Sequence, residues 1–237
     1  MITPPNSAAN TADFEFATLE HAANYRQALV AAFRPHLRGR VLEIGAGIGQ
    51  MTRELIGVGT IDELLSIEPE AGFAERIRSF RPARCVFQGK STDLPPDEAC
   101  DAIVSINVLE HIERDAEELA RYRRLLSARK GRLCLLTPAR PELYAPIDRD
   151  FGHYRRYTRR ELRDKLRAAG FASADIHYYN LVGYFGWFVM FRLLQRRTFS
   201  PVSVRLFDKV LFPPMHWLET RVCPPPFGQN LLAIAQA

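Results

Sequence analysis

The chain has 237 residues, enough for one large domain with a sizeable core, and its 47% hydrophobic and 25% charged content is ordinary for a soluble globular protein. Its formal charge of +5, from 32 Lys and Arg against 27 Asp and Glu, favours anionic partners only mildly, and because the basic residues are scattered through predicted helices, nucleic acid is not an expected partner. Four cysteines (Cys85, Cys100, Cys134 and Cys223) lie far apart with no Cys-x-x-Cys pair, so nothing suggests a disulfide framework or a structural zinc, and a reducing, cytoplasmic compartment is the expectation.

The start, "MITPPNSAANTADFEF", has neither a positive leader nor an apolar core and reads as a polar arm rather than a signal peptide. Apolar residues then recur at helical spacing from Tyr25 to Leu37, and Val41–Ile44 is a strand. A glycine turn leads into a helix over Gln50–Leu55. "ELLSIEP" is a strand ending in a carboxylate, followed by a helix over Ala71–Ser79. "ARCVFQGK" and "CDAIVSINVLEHI" supply two more strands, the second apolar enough for burial on both faces. "AEELARYRRLLSARKG" is an amphipathic helix closed by Gly131, and "RLCLLTPA" is the fifth strand. Cys85 and Cys134 fall in these strand-like runs and read as small buried hydrophobes.

Strands and helices alternate without repeats, which predicts an α/β fold with a doubly wound, mostly parallel sheet. Residues 139–158 break the rhythm with a long polar, aromatic loop carrying too much Pro and Gly for a helix. Arg159–Ala169 is a helix stopped by Gly170, "ASADIHYYN" is a sixth strand, and "NLLAIAQ" closes the chain as the last. Residues 181–228 between these strands are aromatic and stand where a lid would lie. Within them "LVGYFGWFVMFRLL" is too short to span a bilayer, which takes about 20 residues; it suits a buried helix, a substrate cap or a membrane-surface helix.

"VLEIGAGIGQMT" carries the chemistry. Gly45, Gly47 and Gly49 permit positive φ and let a ligand approach the backbone around Ala46. The next helix offers unpaired N–H groups and its positive dipole end. A dinucleotide fingerprint wants glycine or alanine where Gln50 stands. Glu43, at the mouth of the turn, would repel a pyrophosphate and suits a ligand with an ammonium or sulfonium charge. Glu68 ends the second strand just before Pro69, where a carboxylate can accept from both ribose hydroxyls. Asp93, in "GKSTDLP", could accept from an adenine amino group. One acid thus follows each of the first three strands.

"VLEIGAGIG", "SIEP", "STDLP", "DAIVSINVLEHI" and "LLSARKGRLCLLTPA" stand in an order and spacing that resemble a class I S-adenosylmethionine-dependent methyltransferase of the small-molecule kind. The resemblance is firm over about Leu37–Pro138 and looser beyond, where "GHYRRYTRRELRDKLRAAGF" has a similar flavour. It implies a Rossmann-like, seven-stranded sheet whose last strand is antiparallel, and S-adenosylmethionine as cofactor. By the same resemblance the Gly45–Gly49 turn with Ala46 cradles the methionine part beside Glu43, and Glu68 and Pro69 meet the ribose. Asp93 and Leu94 flank adenine, Asn107 meets the cofactor by its backbone, and Tyr25 closes over it. The expected organisation is one domain, 1–237: arm and helix 1–36, cofactor core 37–138, active-site loop 139–158 and cap 181–228.

Methyl transfer needs alignment and the exclusion of water, and a base only for some acceptors. His153 in the loop is the candidate base, because an imidazole with a reference pKa of ~6.5 can take a phenol or enol proton. His111 is a weaker candidate. Some ubiquinone-pathway O-methyltransferases hold a divalent metal with Glu-x-x-Glu-His at this point, but Asn107 replaces the first acid, so no metal is expected. Tyr154, Arg156, Tyr157, Tyr184 and Trp187 are candidate acceptor contacts, with Arg156 suited to an acidic acceptor. The reading is O-methylation of a small apolar or aromatic molecule. Its alternatives are an NAD(P)-dependent oxidoreductase using the same turn and a non-catalytic or membrane-surface binding protein; the sequence sets no oligomeric state.

Overall fold

A computed structural model describes residues 20–80, 85–95 and 97–237, so the expected N-terminal arm lies outside the described residues. Seven strands form one sheet in the order β3-β2-β1-β4-β5-β7-β6. They are β1 (Gly39–Ile44), β2 (Ile61–Glu68), β3 (Cys85–Gln88), β4 (Ala102–Ile106), β5 (Arg132–Pro138), β6 (Ser173–Tyr179) and β7 (Asn230–Gln236). All run parallel except β7, which pairs antiparallel with both β5 and β6. The last strand of the chain is therefore slotted in reverse between two earlier ones, as the resemblance implies.

Period-two burial explains why the central strands sit inside. Leu42, Ile103, Leu133 and Leu135 enter one hydrophobic cluster, and their neighbours Val41, Val104, Cys134 and Leu136 enter the other. Helices close both faces. Leu29, Val30 and Phe33 of α1 (Ala23–Phe33) and Leu55 of α2 (Gln50–Ile56) cover the second cluster. α3 (Ala71–Arg78) flanks β2 and β3 with Ala74 and Ile77 buried. Leu119, Tyr122, Leu125 and Leu126 of α4 (Asp115–Ser127) pack into the first cluster with Leu162 and Leu166 of α6 (Arg159–Ala168). Each such leucine contributes about 1.5–3 kcal/mol by leaving water.

Four expectations are corrected locally. The first helix stops at Phe33 and tightens into a 3₁₀ turn over Arg34–His36, because Pro35 has no N–H to continue an α-helix. The apolar run from Cys100 breaks at Asn107, whose φ of 52° ends β4 before a 3₁₀ turn over Leu109–His111. The 139–158 loop does contain a helix, α5 (Pro146–Asp150), with Pro146 pre-set for the first helical position and the Asp148 carboxylate accepting from the Ala145 N–H at 2.9 Å. Cys85 is exposed, because β3 is an edge strand paired only with β2.

Between β6 and β7 come α7 (Leu181–Trp187), a π-helical stretch Phe188–Leu193, α8 (Pro201–Leu206), a second π stretch Phe207–Leu211 and α9 (Phe212–Arg221). This segment folds back onto the strand ends. The Asp208 carboxylate accepts the backbone N–H groups of Asn24 and Tyr25 at 3.1 and 2.9 Å, supplying the N-cap that α1 lacks locally.

Candidate active site

A cavity of about 790 Å³ lies where β1 and β4 diverge, at the carboxyl ends of the strands. Open α/β sheets bind ligands at this switch point, where the loops leave on opposite faces. Of the residues expected in the site, Tyr25, Glu43, Gly45, Ala46, Asn107, His111, His153, Arg156 and Trp187 line it. Gly47, Gly49, Glu68, Pro69, Asp93, Leu94, Tyr154, Tyr157 and Tyr184 are not part of that lining.

One side of the cavity is built on the glycine turn. Gly45 has φ 72°, and a Cβ there would collide with Val108 Cγ2. At Gly49, with φ 80°, a Cβ would come within 2.5 Å of the Phe80 ring. Both positions therefore need glycine twice over, for the left-handed backbone and for close packing. Gly45, Ala46 and Ile48 of this turn line the cavity. Beneath it Glu43 is buried, its Oε2 accepting from the hydroxyls of Thr52 at 2.6 Å and Ser66 at 2.7 Å. Burial pushes the Glu43 carboxyl up to about 7, although the two hydroxyls pull the other way. A cationic ligand above it would restore the carboxylate.

Glu68 is also buried and ties the end of β2 to the turn, accepting from Gly47 N–H at 2.7 Å and Glu70 N–H at 2.9 Å. Burial raises its pKa, with the Glu70 and Gly47 amides opposing. Each carboxylate oxygen keeps a second lone pair for a ligand hydroxyl. Asp93 is exposed and caps its own turn through Lys90 N–H at 2.8 Å and Thr92 Oγ1 at 3.1 Å, which holds its carboxyl below the usual range. Leu94 is buried in the core. The left-handed glycine turn and the two buried carboxylates fit S-adenosylmethionine, which carries an ammonium, a sulfonium and a ribose.

The opposite wall of the cavity rests on an ion-paired framework. Asp148 is fully buried; its Oδ1 accepts from His153 Nδ1 at 3.1 Å and from Arg156 Nε at 2.9 Å and Nη2 at 2.8 Å. Burial alone would raise this carboxyl, but His153 and Arg156 outweigh it and hold it below its ordinary range. Arg156 also donates to Ala139 O at 3.2 Å and lies 4.4 Å over the Trp187 ring. The guanidinium expected to meet an acidic acceptor is thus committed inside the protein, and such an acceptor would have to compete with Asp148.

Three donors meet at the cavity wall. The Glu110 carboxylate and ring nitrogens of His111 and His153 lie within 4.8 Å of one another, a set able to hold a divalent cation. Both histidines have a backup acceptor: Asp148 for His153, and the Phe151 backbone for His111. Burial, with the His153 ring at 4.6 Å, lowers the His111 pKa to about 4.

Other expected acceptor contacts go elsewhere. Tyr157 is buried in the core and donates to Asp115 Oδ2 at 2.8 Å, so it is structural. Tyr154 is exposed beside Arg155, and Tyr184 packs edge-on against Phe227 at 4.9 Å. Trp187 lines the cavity, its Nε1 donating to Leu143 O at 3.1 Å. Sequence reasoning passed over Gln50, Met51, Asn180, Phe199, Asn230 and Leu206, all of which line the cavity. Asn180, with φ 65° and its side chain capping α7 at Gly183 N–H, carried the one local signal, an asparagine at a strand-to-helix corner.

A sequence profile described as "Methyltransferase domain" matches residues 18–175. No curated protein matches in sequence. Among solved structures, a SAM-dependent methyltransferase from Thermotoga maritima is similar at TM-score 0.62 and 18% identity, over 97% of this chain and 96% of its own. An S-adenosylmethionine-dependent methyltransferase from Mesorhizobium loti reaches 0.63 at 16% identity, over 92% of this chain and 100% of its own. DhpI, solved as a complex with SAH, reaches 0.60 at 16% identity, over 97% and 92%. At these identities the structural likeness speaks for the fold, and the profile match for the family.

Proposed function

The chain belongs to the methyltransferase-domain family and is an S-adenosylmethionine-dependent enzyme, and on that premise we propose that it O-methylates a small apolar or aromatic acceptor. The observation carrying this reading is one cavity that joins the glycine turn to an oriented imidazole and to apolar walls from Trp187, Phe191 and Phe199. The domain is single, with 37–138 as cofactor core, 139–158 as active-site loop and 181–228 as cap. Glu43 and the Gly45–Gly49 turn with Ala46 hold the methionine end, Glu68 and Pro69 the ribose, Asp93 and Leu94 the adenine, and Asn107 and Tyr25 the remaining edge.

Bound there, S-adenosylmethionine supplies a methyl group on a sulfonium. Glu43 faces the cationic end, and the aromatic wall excludes water around the acceptor. Asp148 accepts a hydrogen bond from His153 Nδ1–H and fixes the tautomer, which leaves Nε2 to take the proton of an acceptor hydroxyl. His153→Ala should keep cofactor affinity and lose about 10²-fold or more in turnover. The loss should be greatest at low pH and shrink as the acceptor ionises by itself. Unchanged turnover would remove His153 from the chemistry.

A second reading rests on the Glu110, His111 and His153 cluster. A divalent cation held there would coordinate the acceptor oxygen and lower its pKa in place of an imidazole base. Chelation separates the two readings. Full turnover after dialysis against EDTA supports the base, whereas loss restored by one added cation supports the metal.

A further inference from the structure

Residues 185–222 carry a surface that lies largely outside the cavity. Of the 13 large apolar side chains exposed among the described residues, 12 belong to residues 185–222. They include Phe185, Val189, Leu193, Leu194, Val210 and Trp217, the last 61% exposed. Isolated exposed apolar residues are normal, but this concentration in one segment of a 237-residue chain is not scatter.

The same segment is cationic on its outside only. It holds Arg192, Arg196, Arg197, Arg205, Lys209 and Arg221, all exposed. Its two acids, Asp208 and Glu219, are buried and occupied: Asp208 holds Asn24 and Tyr25, and Glu219 accepts from Asn180 and Leu181 N–H at 3.1 and 2.7 Å. Arg197 is paired with Asp150 at 2.7 Å, which leaves five cations among the apolar side chains.

Charge selects the occupant. A second copy of this face would set cations against cations with no exposed acid of the segment opposite, which disfavours a two-fold self-interface. An anionic lipid surface offers both complements, acyl chains for the apolar groups and phosphate for Arg and Lys. No helix among the described residues is long and apolar enough to cross a membrane, so the contact is interfacial. The surface is also continuous with the site. Leu206 and Leu211 are 55% and 45% exposed and both line the cavity, so the cavity rim is part of this face.

We propose that residues 185–222 dock the enzyme on an anionic bilayer, with the cavity rim at Leu206 and Leu211 turned to the lipid so that an amphipathic acceptor enters from it. The second part rests on the acceptor cavity of the proposed function, and the docking itself does not.

Co-sedimentation with phosphatidylcholine vesicles, with and without phosphatidylglycerol, tests the docking. Wild type should pellet with the anionic vesicles and stay in solution with pure phosphatidylcholine, and high salt should release it. Arg196→Glu/Lys209→Glu/Arg221→Glu should lower partitioning by at least about fivefold per charge removed. Leu193→Ser/Leu194→Ser/Trp217→Ser should abolish it. None of these six residues lines the cavity, so titration with S-adenosylmethionine should be unchanged and reports folding independently. A polarity-sensitive fluorophore at Leu206→Cys, in a Cys85→Ser/Cys223→Ser background, should shift to the blue on adding anionic vesicles. Normal cofactor binding without vesicle binding, equal partitioning by the variants, or a stable dimer lost in the serine variant would overturn the docking and leave the methyltransferase reading standing. An unshifted fluorophore on vesicle-bound protein would overturn the placement of the rim.

Discussion

In the proposed site Glu43 links folding, pH and cofactor through one proton. Its carboxyl is pushed up to about 7 by burial, against 4.5 for an ordinary glutamate. A raised folded-state pKa means that the bound proton stabilises the fold. That contribution is fully present below pH ~4.5 and is lost as pH rises through about 7, for a total of about 3 kcal/mol. Glu43→Gln keeps a hydrogen-bonding partner for Thr52 and Ser66 without the proton. Its stability relative to wild type, measured by urea unfolding, should therefore rise between pH 5 and 8. Cofactor binding has the opposite need, since a cation favours the carboxylate. S-adenosylmethionine affinity should fall as pH drops below 7, and calorimetry in buffers of different ionisation enthalpy should register proton uptake by buffer. At this scale Glu43 and its glycines were legible because they form one contiguous motif. The bonding of Asp148, Arg156 and His153, and the approach of His153 to Glu110 and His111, join side chains that only the folded loop brings together. Nothing in the sequence separates Tyr157, whose hydroxyl donates to Asp115, from its aromatic neighbours.

Among the elements, the β1–α2 turn has the least freedom. Gly45→Ala would need both a left-handed alanine and a displaced Val108. It should cost about 1–2 kcal/mol for the backbone alone, plus the repacking. Gly45→Ala/Val108→Ala should recover only the packing part, so thermal unfolding should show partial rescue; complete rescue would remove the backbone argument. The cap is fastened to α1 by Asp208. Asp208→Ala should lose about 1–2 kcal/mol and specifically speed hydrogen exchange at the Asn24 and Tyr25 amides, leaving the β4 amides protected. The strand pattern and main helices were readable from periodicity, with β7 matching the expected run residue for residue. The two π stretches were not, because apolar positions near 188 and 207 satisfy α and π spacing equally. Nor was α5, whose prolines argue against a helix everywhere except at its first turn.

For the whole molecule, the sheet order puts the carboxyl ends of β1 and β4 side by side, and residues between β6 and β7 line the cavity there. Alternating strands and helices were enough to foresee a doubly wound sheet, and the reversed β7 followed from the resemblance rather than from any periodicity. The exposed apolar and cationic face of the cap was not legible, since the sequence does not say which of its aromatic and basic side chains remain outside. In the proposed site the glycine turn above Glu43, held to β2 by Glu68, cradles the cofactor. Isothermal titration of wild type and Glu68→Ala with S-adenosylmethionine tests this most directly. Micromolar, one-to-one binding by wild type, weakened about tenfold or more by the substitution as a charge-assisted pair of hydrogen bonds is lost, is the expected result. No heat from wild type at high micromolar cofactor, or equal affinity in the two proteins, would contradict it.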